Sequence, residues 1–73
     1  MDYQERITIE PGKRGGRPCV RGIRITVSDA LGLLAHGLTV DEVLSQMPDL
    51  EREDVHACLE YAARYLDQPK PAA

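Results

Sequence analysis

The side chains in this chain best suited to chemistry are cations set among glycines. Lys13, Arg14, Arg17, Arg21 and Arg24 fall within one short stretch, interleaved with Gly15, Gly16 and Gly22. A guanidinium presents a planar fork of donors that pairs bidentately with carboxylate or phosphate, so this density of arginine suits an anionic partner. Charge clustering alone accounts equally well for a solvated tight reversal. A nucleotide cradle is disfavoured: Gly12-Lys13-Arg14-Gly15-Gly16 runs into Arg17-Pro18, where a phosphate-binding loop needs Gly-Lys-Ser/Thr opening directly into a helix.

Catalysis and metal binding find little support, and no catalytic, cofactor or metal residues are expected. His36 falls at a helix end and His56 among acids, neither with a nucleophile arranged beside it. The two cysteines, Cys19 and Cys58, are far apart and form no ligand pair of the C-x-x-C type. Cys58 reads as a small core residue. Cys19, between Arg17 and Arg21, has cations that would favour a thiolate, but it has no resolving partner in sequence.

The charge is divided along the chain. Up to Arg24 there are six basic residues against three acids; from Ile25 onward nine acids face three basic residues, for a total of −3. A polyanion would therefore be met by the N-terminal third. With no Trp and no Phe, platforms for stacking bases are scarce. Cysteine usage points to a reducing cytoplasm, the polar and acidic start does not resemble a leader, and no apolar run reaches membrane-spanning length, so no membrane partner is expected. Seventy-three residues make one small domain of marginal stability, for which self-association is the expected remedy.

These side chains are positioned by a short strand, a loop and three helices. Arg6-Ile7-Thr8-Ile9-Glu10 alternates at period two and stops at Pro11-Gly12. Cys19-Val20 and Ile23-Arg24-Ile25 flank a turn at Arg21-Gly22. Thr26 with Asp29 forms a capping-box-like start, and Thr39 with Glu42 a full capping box. Helices are predicted at about 27–36, 40–47 and 51–67, stopped by Gly37, Pro48 and Pro69. Leu31, Leu34, Val43, Leu44, Val55, Leu59 and Leu66 are the predicted core. The division is a strand and basic Gly-rich arm over 1–26, a three-helix domain over 27–68 and a short tail over 69–73. A lone strand is unstable in water, so Ile7 and Ile9 are expected to pair across a homodimer. The last two helices have helix-turn-helix spacing, but Glu51, Glu53 and Asp54 at the start of the third would repel phosphate, which leaves any DNA contact to the arm.

The run Gly16-Arg17-Pro18-Cys19-Val20-Arg21-Gly22-Ile23-Arg24-Ile25-Thr26-Val27, preceded by Ile7-Thr8-Ile9-Glu10-Pro11-Gly12, resembles the family known as domain of unknown function 433. The resemblance covers nearly the whole chain. Three positions depart from the pattern: Ile23 stands in place of Thr, Met47 in place of Tyr in the turn Met47-Pro48-Asp49-Leu50, and Glu51 where a capping Ser or Thr is common. The resemblance implies a mainly α, homeodomain-like (helix-turn-helix) bundle with a short N-terminal β-strand. It also implies a role as an antitoxin that neutralises a PIN-like ribonuclease and autoregulates its operon; the alternative is a stand-alone DNA-binding transcriptional regulator. Because little chain follows Pro69, neutralisation is expected to use folded surface, with Arg14, Arg17, Arg21 and Arg24 as candidates, although Arg24 between two isoleucines also suits an internal role.

Overall fold

The structure, a computed structural model, describes residues 3–67. The expected tail over 69–73 and the stop at Pro69 lie outside the described residues. The fold is mainly helical, with three helices and one small antiparallel sheet. A 3-10 turn at Tyr3–Arg6 leads into β1 (Ile7–Thr8); a second, at Arg14–Gly16, precedes β2 (Cys19–Val20). The helices are α1 (Val27–Ala35), α2 (Val40–Gln46) and α3 (Arg52–Leu66).

The first strand finds its partner within its own chain. β1 pairs with β2, Ile7 opposite Val20 and Thr8 opposite Cys19. The single strand expected from alternation is thus half of a sheet, and pairing across a dimer is not needed to satisfy it. The Arg21-Gly22 turn closes tightly: Ile23 N–H donates to Val20 C=O at 2.9 Å, with φ at +45° for Arg21 and +73° for Gly22. Both central residues are left-handed, the type I′ geometry that suits the twist of paired strands. Val20 N–H to Ile25 C=O and Val27 N–H to Pro18 C=O, each 2.9 Å, carry the pairing onward to the first residue of α1.

Each helix starts where a side chain can take up orphan N–H groups. Thr26 Oγ1 accepts from Asp29 N–H at 2.9 Å while Asp29 Oδ2 accepts from Thr26 N–H at 3.0 Å, so Asp serves in the box as Glu would. Thr39 and Glu42 form the second box. At α3, where no Ser or Thr stands, Asp54 compensates by accepting from Glu51 N–H at 2.8 Å. Helix α1 ends in a Schellman arrangement, with Leu38 N–H on Leu33 C=O, Gly37 N–H on Leu34 C=O, and Gly37 at φ +96°.

The core is Val20, Val27, Ala30, Val43, Leu50, Val55 and Cys58. Of the predicted core, Val43 and Val55 are buried, and Leu31, Leu34 and Leu44 pack half-buried at its edge. Leu59 and Leu66 are corrections: they are 46 % and 81 % exposed. Leu59 lies on the flank of the face that buries Asp54, Cys58 and Tyr61, and Leu66 lies on the last turn, past Tyr61, which still packs on the core and on Tyr3. Val20, wholly buried, is absent from the predicted core because an extended piece of two residues is too short for periodicity to mark its inner face. The segment from Ile7 to Ile25 therefore belongs to the same core as the helices. Among the described residues, no helix is long and apolar enough to cross a membrane.

Candidate functional site

The five candidate cations separate into those spent inside the fold and those offered to solvent. Arg21 is spent on an acid of the fold, although its own side chain stays partly open to solvent. Its Nε and Nη2 donate to the two oxygens of Asp54 at 3.0 and 2.7 Å, and Nη2 also reaches Asp49 C=O at 3.0 Å. Arg6 joins from the first 3-10 turn, with Nη1 2.8 Å from Asp54 Oδ1 and 2.8 Å from Glu51 Oε1. Two cations, a wholly buried carboxylate and the first turn of α3 thus form one cluster. Burial pushes the Asp54 carboxyl up, but hydrogen bonds from Arg21, Glu51 N–H and Arg6 outweigh it and bring its pKa to about 2. Hydrogen bonds to the Glu51 carboxylate and then to Asp54 raise the Arg6 pKa above the ordinary range, and those to Asp54 raise that of Arg21.

Arg14 and Lys13 organise the loop. Arg14 Nη1 donates to Arg24 C=O at 2.7 Å and to Asp29 Oδ2 at 3.0 Å, tying the loop to the start of α1. The internal anchoring that the setting of Arg24 suggested is performed by Arg14, with Arg24 supplying only its carbonyl. Hydrogen bonding within the cap, with smaller help from Arg14, lowers the Asp29 pKa. Lys13 pairs with Glu10 at 2.7 Å and donates to Gly22 C=O. Arg17 and Arg24 have exposed side chains and, among the described residues, no ion-pair or hydrogen-bond partner for their guanidinium groups. Sequence reasoning missed Arg6 and Asp54. The signal was an acid at the third position of α3 with no Ser or Thr before it to complete the cap.

The remaining candidates are quiet. Cys19 is buried and its Sγ–H faces Arg17 C=O at 3.3 Å, which is no setting for an exposed thiolate. Cys58 is buried on the inner face of α3, where burial and the Asp54 charge push its thiol up to about 11. His36 caps α1, with Nδ1 2.8 Å from Gly32 C=O. His56 lies with Glu53, Glu60 and Tyr3 around a shallow acidic recess of 240 Å³. Among the described residues, no group of three His, Cys, Asp or Glu is placed to hold a metal, and no buried side-chain polar atom lacks a partner. A larger and mostly apolar concavity of 470 Å³ runs between the end of β1, the start of α1 and the C-terminal half of α3.

A small mainly helical domain with a two-stranded sheet, an Arg–Asp–Arg cluster and an exposed basic edge is thus defined. The family described as "Protein of unknown function (DUF433)" matches residues 7–62, and the chain belongs to this family. It is similar to the crystal structure of a DUF433 member protein from Anabaena variabilis ATCC 29413, with a TM-score of 0.78 and 33% identity, covering 84% of this chain and 60% of that one. It is also 36% identical over 59 residues to the uncharacterized protein y4eO of Sinorhizobium fredii (strain NBRC 101917 / NGR234). That match covers 81% of this chain but only 27% of the relative's length.

Proposed function

We propose that this chain is an antitoxin-like binding module that holds a PIN-like ribonuclease inactive through its folded surface. The observation that carries the reading is the division of labour in the basic segment. Arg6, Arg14 and Arg21 are bound to internal acids and carbonyls, which fixes the backbone from which Arg17 and Arg24 extend unpaired. A rigid backbone with free guanidinium forks is preorganised for carboxylates, and binding then costs little ordering of the loop. A magnesium-dependent nuclease gathers carboxylates to hold its metal. A guanidinium engaging those oxygens competes with the cation for the same acceptors.

In this reading the homeodomain-like arrangement of α1, α2 and α3 serves as a scaffold, and α3 does not read base edges. Its first turn offers Glu51 and Glu53 to solvent and buries Asp54. The basic edge is also the surface that operator DNA would meet if the module represses its own operon.

The test is co-expression with a PIN-like ribonuclease from a neighbouring gene of the source genome, followed by purification and an RNA cleavage assay. Changing Arg17 and Arg24 together to Ala should weaken inhibition by at least about tenfold while leaving thermal unfolding in place, because neither side chain supports the fold. Full inhibition by that double variant would sink the mechanism. Failure of the two proteins to associate at all would sink the function.

A further inference from the structure

We infer that the apolar concavity is the self-association surface of this protein, occupied by a second copy in a twofold arrangement. The hole and its filler lie side by side. Ile9, Pro18, Val27 and Leu31 form one wall of the 470 Å³ concavity, and the outer half of α3, with Tyr65 and Leu66, forms the other. Along α3 the cover fades: Val55 and Cys58 are wholly buried, Tyr61 and Ala62 half-buried, Tyr65 63 % and Leu66 81 % exposed. The helix therefore projects its apolar stripe beyond its own body, next to a recess that nothing in the described chain fills.

A twofold axis through this region resolves both defects at once. Leu66 and Tyr65 of each copy enter the recess of the other, the isologous relation a closed dimer requires. A helix or peptide from an unlike partner would fill the recess but leave the projection to be hidden by further surface. The areas agree with a second copy. A standard interface hides about 800 Å² per partner, roughly a sixth of this chain's 5168 Å². Ile9, Tyr65 and Leu66 expose on the order of 100 Å² each, enough for the apolar centre of such a patch with polar surface around it. The inference moves the dimer contact from the β1 strand, already paired inside the chain, to the free end of α3. It is independent of ribonuclease binding, because it is tested on the protein alone.

The experiment is light scattering on the purified chain at about 10 µM and about 500 µM, with Leu66→Glu and Tyr65→Glu as separate variants. Both side chains are largely exposed, so the variants should keep their helical circular dichroism. Wild type should approach the dimer mass with concentration, and each variant should raise the dissociation constant by at least about tenfold. A sample mixing copies with and without isotope label should show magnetisation transfer between the Leu66 methyls of one copy and those of Ile9, Val27 or Leu31 of the other. A wild-type monomer at the higher concentration overturns the inference and leaves the recess to an unlike partner. A dimer that tolerates both variants, or that shows transfer only at β1, overturns it as well.

Discussion

The Asp54 carboxylate tolerates complete burial because four donors reach it: Nε and Nη2 of Arg21, Nη1 of Arg6 and the N–H of Glu51. Its folded pKa of about 2 lies below the value near 3.9 of an unfolded aspartate, so its stabilisation is fully present above about pH 4 and disappears as pH falls towards 2. Urea unfolding across that range should lose about 2 kcal/mol from this group, and the Asp54→Asn variant should lack that part of the pH dependence. Asp54→Ala should cost about 3 kcal/mol, because it strands two cations and uncaps α3, a large fraction of the stability of so small a domain. The thiol of Cys58, pushed up to about 11 beneath the same cluster, should react with a disulfide reagent at neutral pH at least about a hundredfold more slowly in the native protein than in urea. Fast labelling of Cys58 in the folded state would contradict its burial.

At the level of elements, the caps and the turn carry separable energies. Thr26→Ala removes the acceptor for Asp29 N–H at a site only 2 % exposed, and should lower stability by about 1–2 kcal/mol in chemical denaturation. Gly22→Ala meets no close neighbour, since the nearest atom to an added Cβ is 3.9 Å away. Its cost is therefore conformational, about 1 kcal/mol for a side chain held at φ +73°. Helix α3 offers an internal comparison: Val55→Ala should cost about 2 kcal/mol, and Leu59→Ala, at a half-open position, under about 1 kcal/mol. Equal losses at the two positions would mean that the flank of α3 carrying Leu59 is covered more fully than the single chain shows.

For the molecule as a whole, the relevant quantity is how much of its positive charge is free. The N-terminal third is net basic, yet Arg6, Arg21, Arg14 and Lys13 are paired with Glu51, Asp54, Asp29 and Glu10. Any duplex DNA bound by this edge should then be held by Arg17 and Arg24. The logarithm of affinity should fall against the logarithm of salt with a slope no steeper than about −2, because each neutralised phosphate contributes about −0.9. Fluorescence anisotropy over a salt series measures it. A slope near −5, or one unchanged when Arg17 and Arg24 become Ala, would mean that the internal ion pairs open on binding.

The sequence by itself determined the elements whose causes are local. Capping pairs at Thr26/Asp29 and Thr39/Glu42, the stop at Gly37 and the turn at Arg21-Gly22 each depend on residues within a few positions, and all are found where that chemistry puts them. Helical periodicity likewise identified Val43 and Val55 as core. What periodicity cannot report is what faces a stripe, so Leu59 and Leu66 read the same as Val55 although Leu59 falls on the flank of the buried Asp54–Cys58–Tyr61 face and Leu66 lies on the last turn. Nor can spacing show which cation meets which acid. Arg21 and Asp54 are 33 residues apart, and Arg6 and Asp54 are 48 apart. Only the packing of the first 3-10 turn and the β1–β2 sheet against α3 turned Arg21, an apparent ligand-binding arginine, into a support for Asp54, brought in Arg6, which the sequence had not singled out, and left Arg17 and Arg24 at the surface. The physical reason is that ion pairing and burial depend on separation in space, which the chain sets only after its locally specified pieces have packed.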